Sequence, residues 1–267
     1  MFQSILLGLL QGFTEFLPIS SSGHLILLHQ ILESDNGLYF DAVLHFATVL
    51  AIIVYFRKDI YKIINAILRR LSRLPTNDKD LNMAYALAIG TIPAIVFGLL
   101  LEEYMSTIFR NPLLVASVLI IGSVLFGFSE WRYLKTSRDS DLTIIKGLKI
   151  GLFQCLALIP GMSRSGASIA GGMLMGLTRS EAARFSFLLA IPILGGAGAK
   201  TLLELLISNN GHANLSLLLI ASITAFISGL IAIHFMLSFV RRYTLWPFIW
   251  YRVTLAIIVI AFVILQN

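Results

Sequence analysis

Between Gly12 and His24 the chain reads Gly-Phe-Thr-Glu-Phe-Leu-Pro-Ile-Ser-Ser-Ser-Gly-His. This places a carboxylate (Glu15), three consecutive hydroxyls (Ser20, Ser21, Ser22), a glycine (Gly23) and an imidazole (His24) inside an otherwise apolar stretch. A second cluster, Gln154 to Ser168, reads Gln-Cys-Leu-Ala-Leu-Ile-Pro-Gly-Met-Ser-Arg-Ser-Gly-Ala-Ser and adds a permanent cation, Arg164, which the first lacks. Ionisable groups in apolar surroundings are costly, so such clusters point to function before packing. An arginine fork, the hydroxyls of Ser163, Ser165 and Ser168, and glycines such as Gly161 and Gly166 that admit close backbone approach suit a phosphate or diphosphate. Helices starting near Ser20 to Gly23 and near Ser165 would aim free N–H groups and positive dipole ends at that anion. Glu15 then suits a metal ligand or general base, and Ser21 or His24 a nucleophile or base, with water as the other nucleophile. Plain structural roles stand beside these: Arg164 as counter-ion to Glu15, Glu15 buried and protonated, His24 bonded to a carbonyl, Ser22 and Ser165 as helix caps.

The rest of the chain says where these clusters sit. Of its 267 residues 57% are hydrophobic and 13% charged, with mean hydropathy +0.87, far from a soluble composition. An all-α integral membrane protein is expected, with full spans at about 39–56, 82–101, 112–131, 185–207, 216–239 and 246–266. The segments 2–31 and 144–177 are each interrupted by a proline and a serine-rich run, and neither part is long enough to span comfortably. The longest polar interruption, Arg57 to Asp80, reads as a basic cytoplasmic loop, so one membrane domain, 1–267, is expected. Loop 102–111 then falls outside and 132–143 inside, and 208–215 falls outside with Arg241 and Arg242 inside provided that 2–31 and 144–177 are re-entrant hairpins. The net charge of +6 is accounted for by these loops, and nucleic acid is not implied. The single cysteine, Cys155, excludes an intrachain disulfide framework, and Met1 to Leu10 lack the basic start and cleavage site of a removable signal peptide.

The two clusters are copies of each other. At an offset of 143 residues Gly8-Leu9-Leu10-Gln11 aligns with Gly151-Leu152-Phe153-Gln154, and Ser20-Ser21-Ser22-Gly23 with Ser163-Arg164-Ser165-Gly166. A weaker echo matches Ile92, Ala94 and Gly98 with Ile223, Ala225 and Gly229. The expected architecture is an inverted-topology repeat, about 1–135 and about 144–267. Each half is a re-entrant hairpin plus three transmembrane helices, with the two clusters meeting near the midplane. Other polar residues have milder readings. Asp41 and His45 form either a solvated interfacial pair or a neighbour of the site. Lys200 snorkels or pairs with Glu204, Trp246, Trp250 and Tyr251 form an interfacial belt, and Gly171, Gly172 and Gly176 serve packing.

At Gln11-Gly12-Phe13-Thr14-Glu15-Phe16-Leu17-Pro18-Ile19-Ser20-Ser21-Ser22-Gly23-His24 and Pro160-Gly161-Met162-Ser163-Arg164-Ser165-Gly166 the sequence resembles the bacitracin-resistance (BacA-like) family of undecaprenyl-diphosphate phosphatases, and the resemblance covers essentially the whole chain. It implies hydrolysis of a C55-isoprenyl diphosphate lipid to the monophosphate and phosphate, which recycles the cell-wall lipid carrier and gives bacitracin resistance. It further implies a divalent cation (Mg or Ca), a homodimer among membrane lipids, and a place in the bacterial plasma (inner) membrane with the site open to the outer, periplasmic side. By position, Glu15, Ser21, His24 and Arg164 become the catalytic residues; the reading of the residues themselves adds Ser20, Ser22, Gly23, Ser163, Ser165, Gly166 and Ser168 as the diphosphate cradle. Glu15 becomes the metal ligand, with the Gln11 amide oxygen as a second candidate; some members carry Glu at the position of Gln11. A lipid-phosphate transporter or flippase is the competing reading, because inverted repeats with broken helices also build carriers. The other class of membrane lipid phosphatase needs a second histidine about six residues after its arginine, where this chain has Ser-Gly-Ala-Ser-Ile-Ala after Arg164.

Overall fold

The computed structural model describes residues 1–31, 38–101, 111–135, 141–207 and 215–266. These form α-helices with no strand among them. In chain order they are α1 (Phe2–Phe16), α2 (Ser21–Ile31), α3 (Leu38–Tyr55), α4 (Arg57–Leu71), α5 (Asp78–Leu100), α6 (Pro112–Lys135), α7 (Ile144–Cys155), α8 (Arg164–Leu174), α9 (Arg179–Ile207), α10 (Leu215–Val240) and α11 (Trp246–Gln266). Among the described residues α5, α6, α9, α10 and α11 are long and apolar enough to cross a membrane, and α3 joins them when taken with α4 across a 76° bend. The chain is an all-α integral membrane protein. The expected outer loops at 102–111 and 208–215 lie almost wholly outside the described residues.

Local chemistry explains both helix breaks. Pro18 disfavours helical backbone at the residue before it, and Leu17 is extended at φ −79°, ψ 144°. In the second pair a 3-10 turn, Leu156–Leu158, leads to Ile159, extended at φ −88°, ψ 116° before Pro160. The chain restarts its helices through Ser20 and Ser163, both left-handed at φ 74° and 73°. Side-chain oxygens close the new ends: Gly23 N–H donates to Ser20 Oγ at 3.3 Å and Gly166 N–H to Ser163 Oγ at 3.1 Å. These caps stand at equivalent places of the 143-residue offset. Left-handed backbone at a non-glycine residue costs about 1–3 kcal/mol and persists only where its surroundings enforce it.

Packing follows the same duplication. α1 lies along α10, and α7 lies along α5. At the first contact Gly8 meets the backbone carbonyl of Ala221, at the second Gly151 meets that of Gly90, and a Cβ at either glycine would stand inside van der Waals contact with backbone. Gly8 maps on Gly151 by the first offset, and Gly90 on Ala221 by the Ile92/Ile223 echo, so the two crossings are equivalent. Small residues let helices approach where no hydrophobic drive separates them from lipid. Gly151→Ala should therefore lower the melting temperature in detergent, at about 1–3 kcal/mol of overpacking. Gly196→Ala, with nothing within 4 Å of its Cβ, should leave it unchanged or slightly raised.

One expectation needs correction. The interruption Arg57 to Asp80 is not a plain loop, because its first part is the helix α4. Charge count dominates a reading of this stretch, but Ile60 and Ile63 recur at helical spacing and pack on the core, while Tyr61, Leu68 and Leu71 lie on its outward side among basic residues. That pattern is that of an amphipathic helix, turned by 76° from α3.

Candidate active site

Glu15 sits one residue before the end of α1, buried, and both its oxygens are engaged. Arg164 Nη2 donates to Oε1 at 2.7 Å. Oε2 accepts from Ser21 Oγ at 2.7 Å and from Gln11 Nε2 at 3.1 Å. Arg164 also donates from Nη1 to the Ser186 carbonyl on α9 at 3.1 Å. The two hairpins are joined at their breaks, for Gly161 N–H donates to Ser20 Oγ at 3.2 Å and Ser165 Oγ to the Leu17 carbonyl at 3.1 Å. The structure thus brings together Glu15, Ser21, Arg164, Ser20 and Ser165 from segments some 140 residues apart. Ser21 and Ser22 open α2, and Arg164 and Ser165 open α8, so their N–H groups have no acceptor within their own helices and stay available to an anion.

Two buried polar atoms beside Glu15 have no partner among the described residues: the Gln11 Oε1 acceptor and the Arg164 Nε donor. Such orphans are rare, and each calls for a water, a ligand or an ion to complete its bonding. The other cradle residues serve more locally. Ser22 and Ser163 bond to Ser20 and Ser165 hydroxyls at 3.4 and 3.2 Å. Ser168 donates into its own helix, to the Arg164 carbonyl at 2.7 Å, and meets Ser186 Oγ at 2.6 Å, which fastens α8 to α9.

Of the two histidines, His45 rather than His24 stands beside Glu15. His24 donates from Nδ1 to the Ser20 carbonyl at 2.7 Å, which fixes its tautomer when neutral, and its Nε2 accepts from the Tyr251 hydroxyl at 2.7 Å. Both ring nitrogens are committed, and neither bonds to Ser21 or Glu15. His45, left between two readings by sequence, brings Nε2 to 3.5 Å from Glu15 Oε2 while Nδ1 donates to the Asp41 carbonyl at 2.7 Å. Asp41 in turn meets His29 Nε2 at 2.9 Å. The side chain of Glu204 lies outside the described residues, so its pairing with Lys200 stays an expectation.

Several ionic contacts have no clear sequence signal. Glu130 on α6, fully buried, pairs with the half-buried Arg179 of α9 and accepts from Leu245 N–H at 2.6 Å, and Arg179 lies over the Tyr133 ring. Arg184 pairs with Asp59. Arg252, wholly buried on α11, binds backbone of both breaks. Its signal was present, since a charge inside an apolar span is functional by default, yet it stands so near Trp246 and Trp250 that it reads as interfacial.

The family model described as Bacitracin resistance protein BacA matches residues 4–258. The chain belongs to that family. It is similar to proteins named undecaprenyl-diphosphatase along nearly its whole length. That of Trichlorobacter lovleyi is 44% identical over 259 residues, 96% of this chain and 94% of the relative. That of Rubrobacter xylanophilus is 41% identical over 267 residues, 98% of each chain. The relative from Thermobifida fusca is 42% identical, over 98% of this chain and 89% of its own length. The matched residues take in both helix breaks, where Glu15, Ser21 and Arg164 meet.

Proposed function

We propose that this chain hydrolyses undecaprenyl diphosphate, or a closely related polyprenyl diphosphate, to the lipid monophosphate and phosphate, so recycling the cell-wall lipid carrier and giving bacitracin resistance. The observation that carries the reading is the Glu15 junction, where a carboxylate is held between an arginine fork and a serine hydroxyl, and where the Arg164 Nε donor and the Gln11 Oε1 acceptor are buried without a partner among the described residues. The free N–H groups at the starts of α2 and α8, together with Arg164, hold the diphosphate; positioning and charge stabilisation are what phosphoryl transfer mainly requires. Ser21 Oγ attacks the terminal phosphorus as its proton passes to Glu15 Oε2. The bond to the bridging oxygen breaks, the lipid monophosphate leaves, and water then releases phosphate from Ser21.

A divalent cation, Mg or Ca, fits the donors present. Glu15 and the orphaned Gln11 Oε1 lie one helical turn apart and would hold it. Among the described residues no group of three or more His, Cys, Asp or Glu side chains could do so alone, so substrate oxygens would complete the set. Such a cation supplies charge neutralisation at the transferring phosphoryl group. We further place the protein as a homodimer in the bacterial inner membrane, with the site open to the periplasmic side, in line with the basic residues of α4 and of Arg241 and Arg242 facing the cytoplasm. Purified protein in detergent should release phosphate from the C55 lipid diphosphate with Mg or Ca and lose that activity in EDTA. A preparation that binds the lipid but releases no phosphate would replace this reading with that of a flippase.

A further inference from the structure

Two neighbouring residues of α11, Tyr251 and Arg252, reach into the two helix breaks. The Tyr251 hydroxyl donates to His24 Nε2 at 2.7 Å, its ring stacks on the imidazole at 5.7 Å, and His24 Nδ1 donates to the Ser20 carbonyl. This chain of bonds ends on the backbone of the first break, at the left-handed residue that caps α2. Arg252 Nη2 donates to the Gly161 carbonyl at 2.9 Å and Nη1 to the Met162 carbonyl at 3.1 Å, which is the backbone of the second break, just before the left-handed cap of α8. A longer bond of 3.5 Å to Pro18 ties the same guanidinium to the first break. Its remaining donors meet the Leu119 carbonyl and Ser123 Oγ on α6, and its face covers the Phe126 ring. Arg252 is 0% exposed, and every one of these acceptors is neutral. A buried charge without a carboxylate is retained at high cost, and here its donors meet the carbonyls that a broken helix leaves without partners.

We propose that Tyr251 and Arg252 are positioning residues for the phosphoryl-transfer site. Tyr251 holds the first break through His24, and Arg252 holds the second directly, so that α11 keeps the N-termini of α2 and α8 at the spacing a diphosphate needs. Neither residue touches the reacting atoms. His24 belongs to this device, as the link between Tyr251 and Ser20. The arrangement also supplies charge: Glu15 already neutralises Arg164, whereas the contacts of Arg252 leave its positive charge uncompensated beside the breaks. The proposal rests on the phosphatase reading for its consequence but not for its structural content.

The test is amide hydrogen exchange on the full-length, substrate-free protein in detergent, read beside steady-state kinetics. Tyr251→Phe should speed exchange in the segment 17–25 by about tenfold, the equivalent of one buried hydrogen bond, and leave 159–168 near the wild-type rate. Arg252→Met should do so mainly in 159–168. Each should lower kcat by about tenfold, and Arg252→Lys, which keeps the charge but not the fork, should hold KM closer to wild type than Arg252→Met does. If Arg252→Met fails to fold, Gly122→Ala serves, because its Cβ would displace Arg252 Nη2 without removing it. Exchange that rises evenly over all helices, that does not rise at either break, or that rises at the wrong break for each variant would overturn the proposal. This exchange is read without substrate, so its pattern stands apart from the outcome of the phosphatase assay.

Discussion

Arg164→Ala should release phosphate at least about 10³-fold more slowly than wild type, the largest effect expected of any single change in this protein. Arg164 is the fork that meets Glu15 Oε1, it is anchored on the Ser186 carbonyl, and its Nε is a buried donor without a partner among the described residues. Removing it takes away the cation proposed to hold the diphosphate and leaves Glu15 without its ion-pair partner. The second effect is structural, since breaking a buried pair from one side costs about 3–5 kcal/mol. The two effects separate in the double variant Glu15→Gln/Arg164→Ala, in which the stranded charge is gone. Its melting temperature should recover toward wild type while its activity stays lost. Arg164→Lys, which keeps charge without a two-pronged donor, should remain about 10²-fold impaired. Phosphate release close to wild type in Arg164→Ala would remove the arginine from the site.

The second large effect separates residues that look alike in the sequence. Ser21→Ala should slow phosphate release by about 10²–10³-fold, because the hydroxyl at 2.7 Å from Glu15 Oε2 is the group placed for activation. His24→Ala should cost about tenfold, since its ring nitrogens are held by Ser20 and Tyr251 and no bond leads from them to Ser21. Rapid quenching with a terminally labelled diphosphate lipid should leave the label on Ser21. Label on His24 would restore the imidazole as nucleophile. Label on neither, with Ser21→Ala still severely slowed, would make water the nucleophile and Ser21 its guide. Retention of most activity in Ser21→Ala would exclude the serine from the chemistry altogether.

The parts of this site that could be read early are those encoded within a few residues. Pro18 and Pro160 force extended backbone just before them, Ser20 and Ser163 offer a capping oxygen three residues before a glycine, and the copied motif says that both breaks are of one kind. Glu15 and Arg164 were also legible, because a charge in an apolar segment has few reasons to be there. The helix α4 was hidden by its charges, although its apolar residues kept helical spacing. Tyr251 passed for one of the aromatic residues that line a membrane surface, and its ring is indeed partly exposed, but the hydroxyl is what matters and it points to His24.

By itself the sequence determined that this is a membrane-embedded helical protein, that two short segments break their helices and gather hydroxyls, and that one of them carries a carboxylate and the other an arginine. Those properties depend on residue type and local spacing, which are written in the chain. Only the tertiary structure decided that Ser21 rather than His24 lies on Glu15, that His45 approaches the same carboxylate, that Glu130 and Arg179 bind each other, and that Arg252 spends its donors on the carbonyls of both breaks. A buried donor or charge must find a partner somewhere. Which partner it finds is set by how distant helices cross, and here that depends on contacts as small as Gly8 on Ala221 and Gly151 on Gly90.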